Sequence, residues 1–193
     1  MTGLFSALID YMEEEDWKYE ILEGETIIRF HFKGRAGRLL CYGEVDEEKD
    51  WLIFYSYLPV NSPPEKITDY LDDPTVLPEI WPSMVGITNV EELPNGGHRY
   101  HWDYKMAGFR FEGDSETIEY ERGRHFVQKN TGQIPSTFDW KFVPENGSTR
   151  VVMKAEYEIP KTLLGRLTEP FILKLNEREA ETVMHNLKDR IEA

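Results

Sequence analysis

Apolar residues recur at spacings of three and four through Leu4, Phe5, Leu8, Ile9 and Met12, which predicts an amphipathic helix over residues 2–15 with Thr2 as its cap. The Glu13–Asp16 acidic run ends it, and the pattern then turns to alternation. Tyr19–Leu22, Thr26–Phe32, Arg38–Val45 and Trp51–Val60 read as strands of an antiparallel meander, and in the second Ile28, Phe30 and Phe32 alternate with Arg29 and His31. Gly34–Gly37 and the acidic stretch Asp46–Asp50 supply turns. Asn61–Pro64 breaks the pattern, with Ser62 placed to cap a short helix whose apolar face is Ile67, Tyr70 and Leu71. Asp72-Asp73-Pro74 stops that helix and starts another through Val76, Leu77, Ile80 and Trp81.

From there the chain reads as β until Pro160. Strands are predicted at Met84–Glu92, His98–Met106, Phe109–Glu121, Arg124–Lys129, Thr137–Val143 and Thr149–Ile159. Tyr100, Trp102, Tyr104 and Met106 fall on one face of their strand. Phe138, Trp140 and Phe142 do the same, as do Val151, Met153, Ala155, Tyr157 and Ile159. Such alternation marks antiparallel sheet with one dry and one wet face. Ala107-Gly108 is a turn, and Gly113 marks a bulge. Leu164, Leu167, Phe171, Ile172 and Leu175, then Ala180, Val183, Met184, Leu187 and Ile191, predict a long helix over 161–192, kinked or divided by Pro170.

The 193 residues suffice for one domain, or one with an accessory piece. A net charge of −14 repels phosphate backbones and anionic membrane surfaces, so neither nucleic acid nor a charged bilayer is expected as partner. Residues 1–50 carry half of that surplus in a quarter of the chain, which hints at two pieces. Cys41 is the only cysteine, so no intrachain disulfide can form and a reducing compartment fits. The opening MTGLFSALIDYMEEEDW lacks a basic n-region and is not expected to be a signal peptide. No apolar run approaches the ~18–20 residues of a membrane span. A cytoplasmic location is the expectation.

Motifs for chemistry are few. No two of the five histidines have ligand spacing; His98 and His101, three apart on a strand, point to opposite faces, and neither a metal nor a cofactor is expected. Nucleophile-elbow, phosphate-loop and dinucleotide glycine motifs are absent. Glu112, Asp114, Glu116, Glu119 and Glu121 share one strand, near Asp103 and Asp139, and such acids belong on the wet face. One turned into a cavity would have a raised pKa and could act as a general base. The pattern does not single one out.

The order strand, two short helices, six strands and a long terminal helix suggests an α+β helix-grip architecture. Within it, SPPEKITDYLDDPTVLPEIWPSM, VEELPNGGHRYHWDYKMAGFRFEG, STRVVMKAEYEIPKTLLGRL and LNEREAETVMHNLKDRIEA make residues 51–193 resemble the SRPBCC superfamily (START-like, polyketide cyclase/dehydrase and lipid transport). That resemblance implies a curved sheet wrapped around the C-terminal helix with a ligand cavity between them. Its walls would be Tyr100, Trp102, Tyr104, Phe109, Phe111, Phe126, Phe138 and Trp140 from the sheet, with Leu167 and Phe171 from the helix. Arg110 or Arg124 at the rim would meet a carboxylate. Residues 1–60 instead resemble the opening half of the YbjN family, similar in fold to type III secretion chaperones. The two resemblances overlap on Trp51–Lys66, which leaves open whether Trp51–Val60 serves one piece or both. The favoured expectation is an intracellular binding protein for a hydrophobic, lipid- or polyketide-like molecule. The alternatives are a cyclase/aromatase- or hydrolase-like enzyme, and an interaction module. The apolar groups of residues 1–50 are too many to leave in water, and a homodimer through residues 1–60 is the predicted way to cover them.

Overall fold

The computed structural model describes residues 3–14, 16–34, 37–49, 51–106, 109–133, 135–158 and 179–193, and all ten strands among them join one antiparallel sheet. Helix α1 (Leu4–Glu14) precedes a meander of β1 (Tyr19–Ile21), β2 (Ile27–Gly34), β3 (Gly37–Asp46) and β4 (Trp51–Val60). Helix α2 (Pro64–Asp72), a 3₁₀ turn (Pro74–Val76) and α3 (Leu77–Ile80) follow. They carry the chain to the far edge, where β5 (Met84–Glu92) begins a second meander through β6 (His98–Met106), β7 (Phe109–Glu121), β8 (His125–Asn130), β9 (Ser136–Glu145) and β10 (Ser148–Glu158). Helix α4 (Glu179–Glu192) closes the chain. Strand order is β1-β2-β3-β4-β10-β9-β8-β7-β6-β5.

Strand pairing ties Trp51–Val60 to the strands on both sides of it. Strand β4 pairs β3 from Asp46↔Trp51 to Leu40↔Tyr57, and β10 along its whole length from Trp51↔Glu158 to Val60↔Thr149. Register is continuous across it: Ile28, Gly43, Phe54, Ala155, Phe138, Gln128 and Thr117 form one transverse row. Residues in one row share a face of the sheet. That face carries the core, a single cluster that also takes in α1, α2, α3 and α4.

Helix α1 sits on this face because its stripe of Leu4, Leu8, Tyr11 and Met12 is buried. Leu8 lies over Gly43, where a Cβ would come within 3.3 Å of both Ile28 and Phe54. The N-terminus of α1 is tied to a residue some forty positions away. The Glu47 carboxylate accepts hydrogen bonds from the backbone N–H of Leu4 (3.0 Å) and Phe5 (2.8 Å). It does the work of a capping side chain and puts negative charge at the positive end of the helix. The apolar residues of α1 that called for a partner are thus covered within the same chain.

Helix α4 buries Val183, Met184, Leu187 and Ile191, each contributing about 1.5–3 kcal/mol. Its last turn is held by Lys66 Nζ on the Ile191 carbonyl (2.7 Å), Lys188 Nζ on the Pro59 carbonyl (2.8 Å) and the Asn61 N–H on Glu192 (2.5 Å). The predicted helix over 161–192 is described only in this terminal part; its stretch from 161 to 178, including Pro170, lies outside the described residues.

Two local expectations are corrected. The N-cap of α2 is Pro63, extended and without a side-chain bond, while Ser62 spends its carbonyl on Thr149 Oγ1 (2.6 Å). Strand β7 has no bulge at Gly113, which pairs in register with Trp102. The glycine is needed because a Cβ there would collide with the Thr131 carbonyl and the Trp102 ring. The irregularity falls instead between Thr117 and Glu119, leaving Ile118 unpaired and half-exposed. It switches the inward positions of β7 from odd to even numbers, so Tyr120 turns inward opposite Phe126.

These contacts generate two expectations for stability. Glu47→Ala lowers unfolding free energy by about 1–2 kcal/mol in chemical denaturation, whereas Glu48→Ala is near neutral. Gly113→Ala costs about 3 kcal/mol or more by the same measurement, since backbone must move to admit the methyl group.

Candidate functional site

Where the sheet runs from β10 to β5, its inner face is only partly filled, and α3 with the turn after it stands over the gap. Strand alternation delivers the walls. Tyr100, Trp102 and Tyr104 come from β6, opposite Ser115, Gly113 and Phe111 of β7. Gln128 and Asn130 project from β8, Ser136 and Phe138 from β9, and Tyr157 from β10. Leu77 and Trp81 close the helical side, and Met84 begins the edge strand. The rings meet edge to face: Trp81 with Phe138 at 5.2 Å, Phe138 with Tyr157 at 5.8 Å, and Trp102 with Tyr104 at 6.5 Å. Gly113 leaves the room that lets Trp102 lie against β7.

Between these residues is a cavity of about 80 Å³ counted as space for the centres of water-sized molecules. One water needs roughly 10–15 Å³ on that measure, so the void takes several waters or a compact organic group. Its lining is chiefly apolar with a few neutral polar groups. Gln128 Nε2 donates to Tyr100 Oη (3.2 Å), and Asn130 Nδ2 donates to Ser136 Oγ (3.2 Å). Burial pushes the Tyr100 phenol up to about 12 against the opposing pull of hydrogen bonds with Ser115 and Gln128, and burial alone raises Tyr157. Both stay neutral at physiological pH. Trp102 Nε1–H is buried without an acceptor among the described residues. No Asp, Glu, His, Lys or Arg is among the described lining residues.

The acids of β7 that flank the cavity lie on the other face. Glu112, Asp114 and Glu116 alternate with the inward Phe111, Gly113 and Ser115, and Asp114 and Glu116 meet His101 (3.0 Å) and Arg99 (2.9 Å) across the strands. Asp139 holds His125 Nε2 at 2.8 Å. The expected rim arginines are corrected here. Arg110 neighbours the inward Phe111 and so points outward to Asp103 (3.1 Å), while Arg124 pairs with Glu121 (2.9 Å). Neither has a free charge to offer a carboxylate in the cavity. Among the described residues, no group of three or more His, Cys, Asp or Glu could hold a metal ion, and no helix is long and apolar enough to cross a membrane.

Of the expected wall residues, Tyr100, Trp102, Tyr104, Phe111 and Phe138 are brought together around the cavity. Trp140, almost fully buried, is core: it stacks on Phe126 at 5.9 Å beneath α2. Phe126 also packs on Phe142 (5.8 Å) and borders a separate small cleft. Both are inward as expected, but helix covers that part of the sheet. The side chain of Phe109, and Leu167 and Phe171 entirely, lie outside what is described. Sequence reasoning passed over Gln128, Asn130 and Ser136, although the first two continue the period of two from Phe126. Leu77, Trp81 and Met84 reach the cavity only through the crossover between meanders, and no periodicity signals that.

Solved structures share this fold. A protein from Thermus thermophilus, TTHA0849, is similar with a TM-score of 0.62 at 20% identity, over 72% of this chain and 95% of that one. The Zhui aromatase/cyclase from Streptomyces sp. R1128 reaches 0.62 at 12% identity, over 74% and 94%. The di-domain ARO/CYC BexL from the BE-7585A biosynthetic pathway gives 0.62 at 13% identity, over 92% of this chain and 80% of that one. Residues 51–193 are about three quarters of the chain, so this last overlap takes in part of the first meander. At such identities the likeness is one of fold. No protein of curated function matches the sequence. The family described as polyketide cyclase / dehydrase and lipid transport matches residues 58–192, well over half the chain, and the protein therefore belongs to that family.

Proposed function

We propose that this chain is an intracellular binding protein whose cavity holds an uncharged, hydrophobic molecule of lipid- or polyketide-like build. The observation that carries the reading is the lining itself: aromatic walls that include three tyrosines, with two amides and a serine, and no charged side chain among the described residues. Apolar walls supply affinity, and a few placed polar groups fix orientation. An anionic ligand would lose its hydration there and gain no cation from the described residues, since Arg110 and Arg124 are engaged outside. The kinship with an aromatase/cyclase keeps cyclisation as the competing chemistry. The described lining offers it no carboxylate or imidazole to accept a proton, so binding fits the site better.

We read residues 51–193 as the ligand-holding unit and residues 1–50 as an extension of its sheet. The YbjN-like reading of the first 60 residues would make them a docking segment. Leu4, Leu8, Tyr11 and Met12 are buried on their own chain, which removes the physical argument for a homodimer through that face.

Fluorescence titration with the neutral dye Nile red tests the binding reading. Saturable binding is expected, with displacement by neutral polycyclic aromatics at least tenfold more effective than by fatty-acid anions. Trp102→Ala removes a wall and weakens binding by about 1–2 kcal/mol, roughly five- to thirtyfold in Kd. Absence of saturable binding up to the solubility of the dye would sink the proposal.

A further inference from the structure

Gln128 is a wall of two voids. One is the main cavity; the other is the small cleft bordered by Leu71, Asp72, His98, Tyr120 and Phe126. Gln128 is the one residue common to both linings among the described residues, and its amide is held to Tyr100 Oη at 3.2 Å. The inward residues of β8 mark the passage in order. Phe126 faces the small cleft, Gln128 faces both voids, and Asn130 faces the main cavity. Four residues of strand span roughly 13 Å, about the length of a ten-carbon chain.

The small cleft differs in chemistry from the large one. Near its mouth three carboxylates leave α2 and the turn after it, and two of them are fully engaged. Asp69 takes two bonds of 2.6 Å from Arg122, and Asp73 accepts from the N–H (2.9 Å) and hydroxyl (2.7 Å) of Thr75. Each is held below the usual carboxylate range by those donors. Asp72, which borders the cleft, lies 3.5 Å from His98 Nδ1 and makes no other ion pair among the described residues. Its pKa is raised, by burial first and by Asp69 in addition, with His98 and Tyr120 opposing. A half-buried carboxylate whose partners His98 and Tyr120 do not offset its burial favours a ligand group that brings a further donor. The irregularity at Ile118 puts the Tyr120 ring in the same cleft.

We infer that the small cleft is a second subsite of the ligand cavity, where Asp72 accepts a hydrogen bond from the amine or hydroxyl head of an elongated molecule whose apolar body lies beyond Gln128. The inference rests on the binding reading above and adds to it the shape of the ligand and the chemistry of its head. Binding through both voids requires the Gln128 side chain to turn away from Tyr100, so a smaller residue there lowers the cost of entry.

Displacement of Nile red by decylamine, 1-decanol and decyl methyl ether, at fixed physiological salt, tests this on the full chain. Decylamine is expected to bind at least tenfold tighter than the ether, with decanol between them. Asp72→Asn should bring decylamine to within about twofold of decanol. Gln128→Ala should tighten all three decyl compounds. An amine preference that survives Asp72→Asn would show general attraction to an acidic surface and overturn the subsite, as would equal binding of amine and ether by the unaltered protein. Loss of Nile red binding by the unaltered protein would overturn the cavity reading together with it.

Discussion

The double pairing of β4 is the constraint from which the rest follows. All ten of its residues pair with β10 and seven of them, Trp51 to Tyr57, pair with β3 as well, so two meanders distant in the chain share one register. Because side chains alternate strictly, that register sends Phe54, Leu58 and Val60 to the same face as Ile28, Val151 and Phe138. A slip of one residue on either side would turn half of that face to solvent. Both helical ends of the chain depend on the pairing, since α1 packs where β2, β3 and β4 meet and α4 packs on β4 itself.

Sorting charge from apolar surface is the second consequence. On the outer face of the described strands, charged residues meet across neighbouring strands, as Arg99 does with Glu116 and His101 with Asp114. Exposed pairs of this kind are worth little individually, roughly 0–1 kcal/mol. Their effect here is spatial: each satisfied outward residue leaves its inward neighbour free to be aromatic. The described lining is neutral because β6 and β7 alternate without error along the stretch that contributes to it.

Much of this was legible in the sequence. The strands were visible as alternation, and the aromatic positions of β6 and β9 pointed to the wall that Tyr100, Trp102 and Phe138 form. What escaped is instructive. Gly113 looked like a bulge because a glycine in a strand usually means irregular backbone, whereas here it answers the non-local approach of Thr131 and Trp102. Ile118, where the irregularity falls, is an ordinary strand former with nothing to announce it. Trp140 and Phe126 differ from Phe138 only in what lies above them, which depends on where the crossover deposits α2. Arg110 could have been placed outward by counting from Phe111. That error was one of parity, and the information was present.

The ends of the sheet have a meaning for how the protein behaves in a crowd. An open sheet normally offers its two outer strands as templates for pairing with other chains. Here one terminal strand, β1, is three residues long. The other, β5, is broken twice in its pairing with β6, between Met84 and Gly86 and again between Thr88 and Glu91, with Asn89 at φ 53°. An incoming strand would find three residues on one side and a kinked ribbon on the other. Strand-by-strand polymerisation is denied a straight seed at either end, although the apolar Val85 and Val90 of β5 lie in the open.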